Sequence, residues 1–371
     1  MKIGPWFRPF SIMGCVLMLG CTSWVEERAE ELRVLSVTKR TNNLGTTRIK
    51  VPLTAADNAM LLQVQPQNGF SAVVLEIEDA DGTVIYDFEE DVQRSRQATG
   101  AAVPTTLGVL NWPMRADDPE LSGEEITVRV AAVDKDGTRN ANVRLDVSAL
   151  LKSDKDWDSG EVYINLIFAG SVVGDAAIES AVNTAMDNAT VLYEEQGLQF
   201  SVEQQTWAEG NLPKPGTGAP SQFESLSRQS RLRTVNVVVV PSILESESLL
   251  GAAGSIPGPL MESDRSALLI SAAANAGPDM VFDELEIRLL SETIAHELGH
   301  YFGLFHPVES TWDKWDALRD TDDCTDQQVC EDTLGTNLMF PYPVCDGDMC
   351  ELQDTLSEEQ RGVLHRYTGV W

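Results

Sequence analysis

The sequence predicts two domains of different class. An all-β sandwich over residues 34–150 is followed, after a short linker, by an α/β domain with a twisted sheet over residues 160–371. Three observations carry this. The chain has 371 residues, more than one ordinary domain uses, and 43% of them are apolar, enough to fill real cores. Between 34 and 150 short apolar runs alternate with turn residues, and no helical period of any length intervenes. Beyond 160 strands alternate with segments of helical period.

The first twenty residues stand outside both domains. Lys2 and Arg8 make a positive start, and Phe10 to Leu19 is an apolar run of signal-peptide length, too short to span a bilayer as a stable helix. The run closes on Met18-Leu19-Gly20-Cys21, which resembles a bacterial lipobox. The resemblance implies cleavage before Cys21 and lipidation of that residue. With Thr22 next, rather than Asp, it points to an exported protein held by its lipid at the outer membrane or cell surface. Cys15 lies inside the apolar run and leaves with it. Residues 21–33 are read as a short charged spacer with a helical leaning.

In the first domain, Ser71 to Ile77 and Thr83 to Phe88 flank Asp81-Gly82, a strong hairpin signal. Ile126 to Val133 and Val143 to Val147 flank Asp136-Gly137 in the same way. The spacing suggests a sandwich of immunoglobulin-like character. The domain contains neither Cys nor His, and no catalytic constellation is found in it. Residues 151–159 form a polar linker.

The second domain reads as a strand (Val162 to Phe168), a helix (Asp175 to Glu195), strands at Leu198 to Val202 and Val235 to Val240, a Gly- and Pro-rich edge (Leu249 to Leu260), a strand (Ala267 to Ser271) and a strong helix from Glu284 to about Phe302. Residues 208–221 are a Pro/Gly loop. A last helix covers Ser357 to Arg366 and carries His365, read as a packed or surface residue.

Charge excludes one class of partner. Lys plus Arg total 27 against 58 Asp plus Glu, a formal net charge of −31, which repels nucleic acid. Once Cys15 and Cys21 are removed, the remaining cysteines are Cys324, Cys330, Cys345 and Cys350. In an oxidising compartment such a cluster favours disulfides over a four-cysteine zinc site, with the pairing left open. Asp313, Asp316, Asp320, Asp322, Asp323 and Asp326 form an acidic run that is either a calcium site or a solvated loop, and its spacing matches no EF-hand.

The chemistry is concentrated at the end of the strong helix. Three of the four histidines are His296, His300 and His306. A spacing of four sets His296 and His300 on one helical face, where both can reach one ion. Glu297, about 100° round the helix, stands beside the metal without binding it, where a general base for a metal-bound water belongs. Gly303 permits a sharp turn that brings His306 back as a third ligand. Three imidazoles leave an open position on zinc, the mark of a catalytic site.

The pattern HExxHxxGxxH at 296–306 resembles the metzincin zinc peptidases. The resemblance implies a metzincin-type catalytic domain in which this helix is the active-site helix, with a Met-turn beneath the metal. Asn337-Leu338-Met339-Phe340-Pro341 supplies that turn, with Met339 as its methionine. Gly251 to Gly258, the acidic Cys-bearing segment before Met339, and Leu356-Ser357-Glu358-Glu359-Gln360 are most like the pappalysin-like group. Pro341 stands where that group tends to carry Tyr, which puts a transition-state role for Tyr342 in doubt. No Cys lies between 22 and 323, so a cysteine-switch latency has no thiol.

The expected function is zinc-dependent hydrolysis of peptide bonds in proteins outside the cytoplasm, with Glu297 as general base and a peptide lying extended along the 249–258 edge. Two rivals stand beside it. One is a lipid-anchored surface binding protein whose zinc domain is catalytically silent; the other is a zymogen that awaits removal of residues 22–150.

Overall fold

The computed structural model of the chain describes residues 24–29, 32–94, 96–97, 107–153, 156–207, 222–227, 233–244, 248–277, 280–346 and 349–371. The expected signal segment, Cys21 and the expected loop at 208–221 lie outside the described residues. Among those described, no helix is long and apolar enough to cross a membrane.

The first unit contains β1 (Val25–Ala29), β2 (Leu32–Arg40), β3 (Thr46–Pro52), β4 (Ala59–Pro66), β5 (Ser71–Glu78), β6 (Val84–Asp87), α1 (Phe88–Gln93), β7 (Arg96–Gln97), β8 (Gly108–Trp112), β9 (Glu125–Val133) and β10 (Arg144–Lys152). Two antiparallel sheets form, in the orders β1-β2-β10-β4-β8 and β3-β9-β5-β6. Alternation explains their packing. Leu35 and Val37 of β2, with Leu62 of β4, meet Ile49, Val74 and Val128 of the other sheet in one core. The opposite parity, Leu32, Val34, Leu61, Val109 and Leu150, points the other way and joins the core of the second unit. The five-stranded sheet is therefore buried on both faces.

Three expectations for this half need correction. Residues 25–29 are not a helical spacer: they pair antiparallel with β2, Val25 opposite Ser36 through to Ala29 opposite Leu32. Val25, Glu26 and Glu27 stay exposed on this edge strand, so their composition reads as linker while the backbone pairs. A six-residue helix, α1, interrupts the all-β unit, capped by Asp87 accepting from the Glu89 amide. The Asp81-Gly82 hairpin joins β5 to β6, but the Asp136-Gly137 turn does not pair β9 with β10. It closes on a short ladder, the Asp134 amide donating to the Thr138 carbonyl at 3.0 Å and the Asn140 amide to the Ala132 carbonyl at 2.8 Å around a single Val133–Arg139 bridge. The chain then crosses through Asn142, at φ 59°, into the other sheet.

The second unit contains β11 (Gly160–Ala169), α2 (Ala176–Glu195), β12 (Leu198–Trp207), α3 (Gln222–Ser227), β13 (Val235–Val240), β14 (Gly251–Ala253), β15 (Ala267–Ser271), α4 (Ala272–Ala276), α5 (Glu284–Tyr301), β16 (Trp315–Asp316), α6 (Gln327–Leu334), β17 (Cys345–Asp346), β18 (Met349–Cys350) and α7 (Glu358–Arg366). Its sheet runs β12-β11-β13-β15-β14. It is parallel except for the antiparallel edge β14. Helices α2 and α5 cover one face, and Tyr193 of α2 donates to the Ala295 carbonyl of α5 at 2.7 Å. Asp175 caps α2 through the Ala177 and Ile178 amides.

The units are tied by more than the shared core. Strand β7 pairs with β16. Arg115 donates to the Ala317 carbonyl at 3.1 Å. Buried Asn111 donates to the Arg366 carbonyl at 2.8 Å and accepts from the Thr368 amide at 2.9 Å and hydroxyl at 2.7 Å. Asn111→Ala strands these buried partners and is expected to cost about 3 kcal/mol. Denaturant unfolding should show this loss within a single transition, because the two units share one core. A second prediction concerns pH. Burial pushes the Asp91 carboxyl up to about 6, against the pull of Arg115. A carboxyl that holds its proton more tightly when folded contributes stability that is complete below its unfolded pKa and lost as pH rises through the folded one. Asp91→Asn should therefore flatten the fall in Tm between about pH 4 and pH 6.

Candidate metal centre

Helix α5 is delimited at both ends by local sequence. Asp283 and Glu286 form a reciprocal capping box, each carboxylate accepting the other's amide at 2.8 Å. At the far end Gly303 has φ 108°. The Gly303 amide donates to the His300 carbonyl at 3.0 Å and the Leu304 amide to the Gly299 carbonyl at 2.9 Å, a Schellman closure. This turn reverses the chain and delivers His306 to the two histidines of the helix.

The three imidazoles converge. The Nε2 of His306 lies 3.2 Å from the Nε2 of both His296 and His300. Among the described residues this is the one group of three or more His, Cys, Asp or Glu side chains whose ligand atoms lie within 4.8 Å of one another. Each Nδ1 faces an acceptor: the Leu338 carbonyl at 2.8 Å for His296, the Leu304 carbonyl at 2.7 Å for His300, and the Glu309 carboxylate at 3.1 Å for His306. A carbonyl cannot donate, so Nδ1 carries the hydrogen and Nε2 presents its lone pair. Protonation of the two helix histidines is disfavoured. Burial, with His306 adding to it, pushes His296 down to about 3, and burial also holds His300 well below the usual range. Lone pairs this close repel unless a cation lies between them. A tetrahedral zinc with nitrogen ligands at about 2.1 Å sets them about 3.4 Å apart, so the residues fit that ion.

Glu297 is buried beside the triad. Burial pushes its carboxyl up to about 8, opposed by a hydrogen bond from the Ala253 amide of β14. Its Oε2 has no protein partner. Gly251, also on β14, is required here: a Cβ would lie 2.6 Å from Glu297 Cγ. Edge strand and helix are locked together by Asn275, which donates to the Leu250 carbonyl at 3.0 Å and accepts from Thr293 at 3.1 Å.

Met339 is fully buried beneath the helix, and a Cβ on Gly299 would sit 2.5 Å from its Sδ. The turn is shaped by Asn337, which accepts the Met339 amide at 2.9 Å and exchanges hydrogen bonds with Gln360 of α7. Tyr342 donates to Glu331 at 2.9 Å, and burial with that carboxylate pushes its hydroxyl up to about 12. His365 is packed, its ring nitrogen 2.7 Å from the Gln196 carbonyl.

The four cysteines form two bridges, Cys324–Cys330 and Cys345–Cys350, so they do not gather around a second zinc. The acidic run is largely committed to backbone and hydroxyl groups. Asp316 accepts from Leu318 and Thr321, Asp320 from Ser357 and Glu359, and Asp326 caps α6. Spacing along the chain did not point to Gly251, Ala253 or Glu309. The first two reach Glu297 only through the sheet; Glu309, three residues after His306, is the one that local sequence could have suggested.

No protein-family profile matches the chain. No curated protein matches it either. Among the solved structures similar to parts of it are the following three. The archaemetzincin of Methanopyrus kandleri has a TM-score of 0.27 and 17% identity, over 39% of this chain and 76% of that one. A zinc-dependent peptidase of Methanocorpusculum labreanum has a TM-score of 0.27 and 15% identity, over 38% and 82%. Metalloproteinase-II of Bacteroides fragilis has a TM-score of 0.25 and 9% identity, over 43% and 53%. At these scores the likenesses add no weight to the residue geometry, which stands on its own.

Gly299→Ala tests the contact beneath the histidines. The added methyl must displace Met339 or the helix, which is expected to cost about 1–3 kcal/mol. It should also weaken zinc affinity at least about tenfold by moving the carbonyl that orients His296. Competition with a zinc-binding dye measures the second effect.

Proposed function

We propose that the chain is a zinc-dependent endopeptidase acting on proteins outside the cytoplasm, anchored by lipid on Cys21 at the outer membrane or cell surface. The observation that carries this reading is the Glu297 carboxylate: buried, short of one partner, and set beside three inward-facing imidazoles. A purely structural zinc site needs no such group.

His296, His300 and His306 would hold the zinc. When bound, it lowers the pKa of a coordinated water and polarises the scissile carbonyl. Glu297 takes the proton of the attacking water at its free oxygen and passes it to the leaving nitrogen. Its burial favours a carboxyl able to hold that proton in transit, while the nearby cation favours the charged form at the outset. Strand β14 and the segment around it offer an edge to which an extended peptide can add as a further strand. A cavity of about 240 Å³ opens beside Glu297 and His296, bounded by Leu249, Leu250, Phe340 and Pro341. The two disulfides fit an oxidising compartment. The β unit, read as an immunoglobulin-like accessory module, shares a core with the peptidase unit, which favours a permanent brace over a removable pro-segment.

Glu297→Gln keeps the shape and removes the base. Against a mixed peptide library the wild-type chain should cleave in a chelator-sensitive manner, and the variant should lose at least about a hundredfold in rate while retaining zinc. Equal cleavage by both proteins would sink the peptidase reading.

A further inference from the structure

The three histidines are not held alike. The Nδ1 hydrogens of His296 and His300 go to backbone carbonyls, those of Leu338 and Leu304. His306 lies past the end of α5, and its Nδ1 faces a carboxylate, Glu309 Oε2, at 3.1 Å. A side-chain acceptor is ordinarily free to swing, but this one is carried on a closed hairpin. The Glu309 amide donates to the Lys314 carbonyl at 2.9 Å, and the Glu309 carbonyl accepts from the Trp312 amide at 2.8 Å. Val308, fully buried, bridges to Trp315. Trp312 takes φ 59°, a conformation uncommon for a bulky residue, and its ring centroid packs 6.3 Å from that of Phe340 and 6.1 Å from that of Tyr342. At the base of the hairpin, Trp315 and Asp316 pair with Arg96 and Gln97 of the β unit. The hairpin is thus supported by the turn that holds Met339 on one side and by the β unit on the other.

The second difference is charge. A carboxylate accepts more strongly than a carbonyl and pushes electron density through the ring, which makes the opposite nitrogen a better donor to a cation. His306 has the most to gain from this. Its Nε2 is 3.2 Å from the Nε2 of both partners, and its backbone has no helix to fix it. We propose that Glu309 is the positioning residue of the metal site: it holds His306 in its zinc-binding orientation and strengthens it as a ligand, so that retention of the ion is governed by this carboxylate and the hairpin under it. The inference rests on the three-histidine zinc reading and gives Glu309 no contact with substrate. It also gives the β unit a task beyond stability, because β7 pairs with the base of the hairpin that carries Glu309.

The test uses the full chain and three variants. Glu309→Gln keeps the length and an acceptor oxygen but removes the charge, and Glu309→Ala removes both. Asp313→Asn makes the same change of charge at an exposed position of the same hairpin. Zinc affinity is measured by competition with a zinc-binding dye, and release by transfer to a chelator. Glu309→Gln is expected to weaken binding at least about tenfold, chiefly through faster release, and Glu309→Ala more, while Asp313→Asn stays within about twofold of wild type. Cobalt(II) in place of zinc gives a spectroscopic readout: the visible bands of Glu309→Gln should move to longer wavelength, because the ring has become a weaker donor. A merely structural Glu309 would leave those bands in place and lower the Tm of the metal-free chain instead. The Glu309 side chain is 28% exposed, so that Tm should move by no more than about 2 °C. Zinc affinity and release unchanged in Glu309→Gln, or equal losses in Glu309→Gln and Asp313→Asn, overturn the proposal. With cleavage intact, such a result leaves the peptidase reading standing; the expected losses of zinc in a chain that cleaves no peptide do the reverse. A wild-type chain that takes up no zinc overturns both.

Discussion

Three imidazole lone pairs held against one another, with His306 Nε2 at 3.2 Å from both partners, are stable only around a cation. Every Nδ1 hydrogen is turned outward to a fixed acceptor, so the rings cannot relieve the crowding by changing tautomer. Burial opposes protonation of His296 and His300 as the other escape. The protein has thereby spent folding energy on a preformed ligand set, and the surrounding structure can be read as the means of holding it.

That holding is distributed over distant parts of the chain. The turn at residues 337–341 contributes the Leu338 carbonyl behind His296 and the Met339 side chain under Gly299. The Schellman turn at Gly303 contributes the Leu304 carbonyl behind His300. Strand β14 presses Gly251 against Glu297, and α2 braces α5 through Tyr193. The β unit adds to this by covering the far side of the second unit's core with Leu32, Val34 and Val109 and by holding Thr368 through Asn111. A site assembled in this way has its second layer on rigid elements, which suits a centre that must keep one coordination position open.

Much of this was legible in the sequence because local chemistry dictates it. The His296, Glu297, His300 spacing follows from helical geometry, Gly303 from the need for positive φ, and the α/β order from the change in apolar period. What stayed hidden depends on tertiary contact. Glu292, four residues after Arg288 on α5, has no local signal of burial, yet its side chain is only 9% exposed in the fold. Residues 25–29 read as spacer because an edge strand needs only backbone pairing, and its charges remain in water. The turn at Asp136-Gly137 carries a hairpin signature, but the residues after it find a better sheet across the sandwich. The cysteine pairing, open in the sequence, follows once Cys345 and Cys350 face each other across β17 and β18.

The central claim is tested most directly by zinc K-edge X-ray absorption on the full chain reconstituted with one equivalent of zinc. The account predicts three imidazole nitrogens at about 2.0–2.1 Å and a single lighter oxygen ligand. Sulfur scatterers, an all-oxygen shell, or a protein that retains no zinc after gentle dialysis would contradict it.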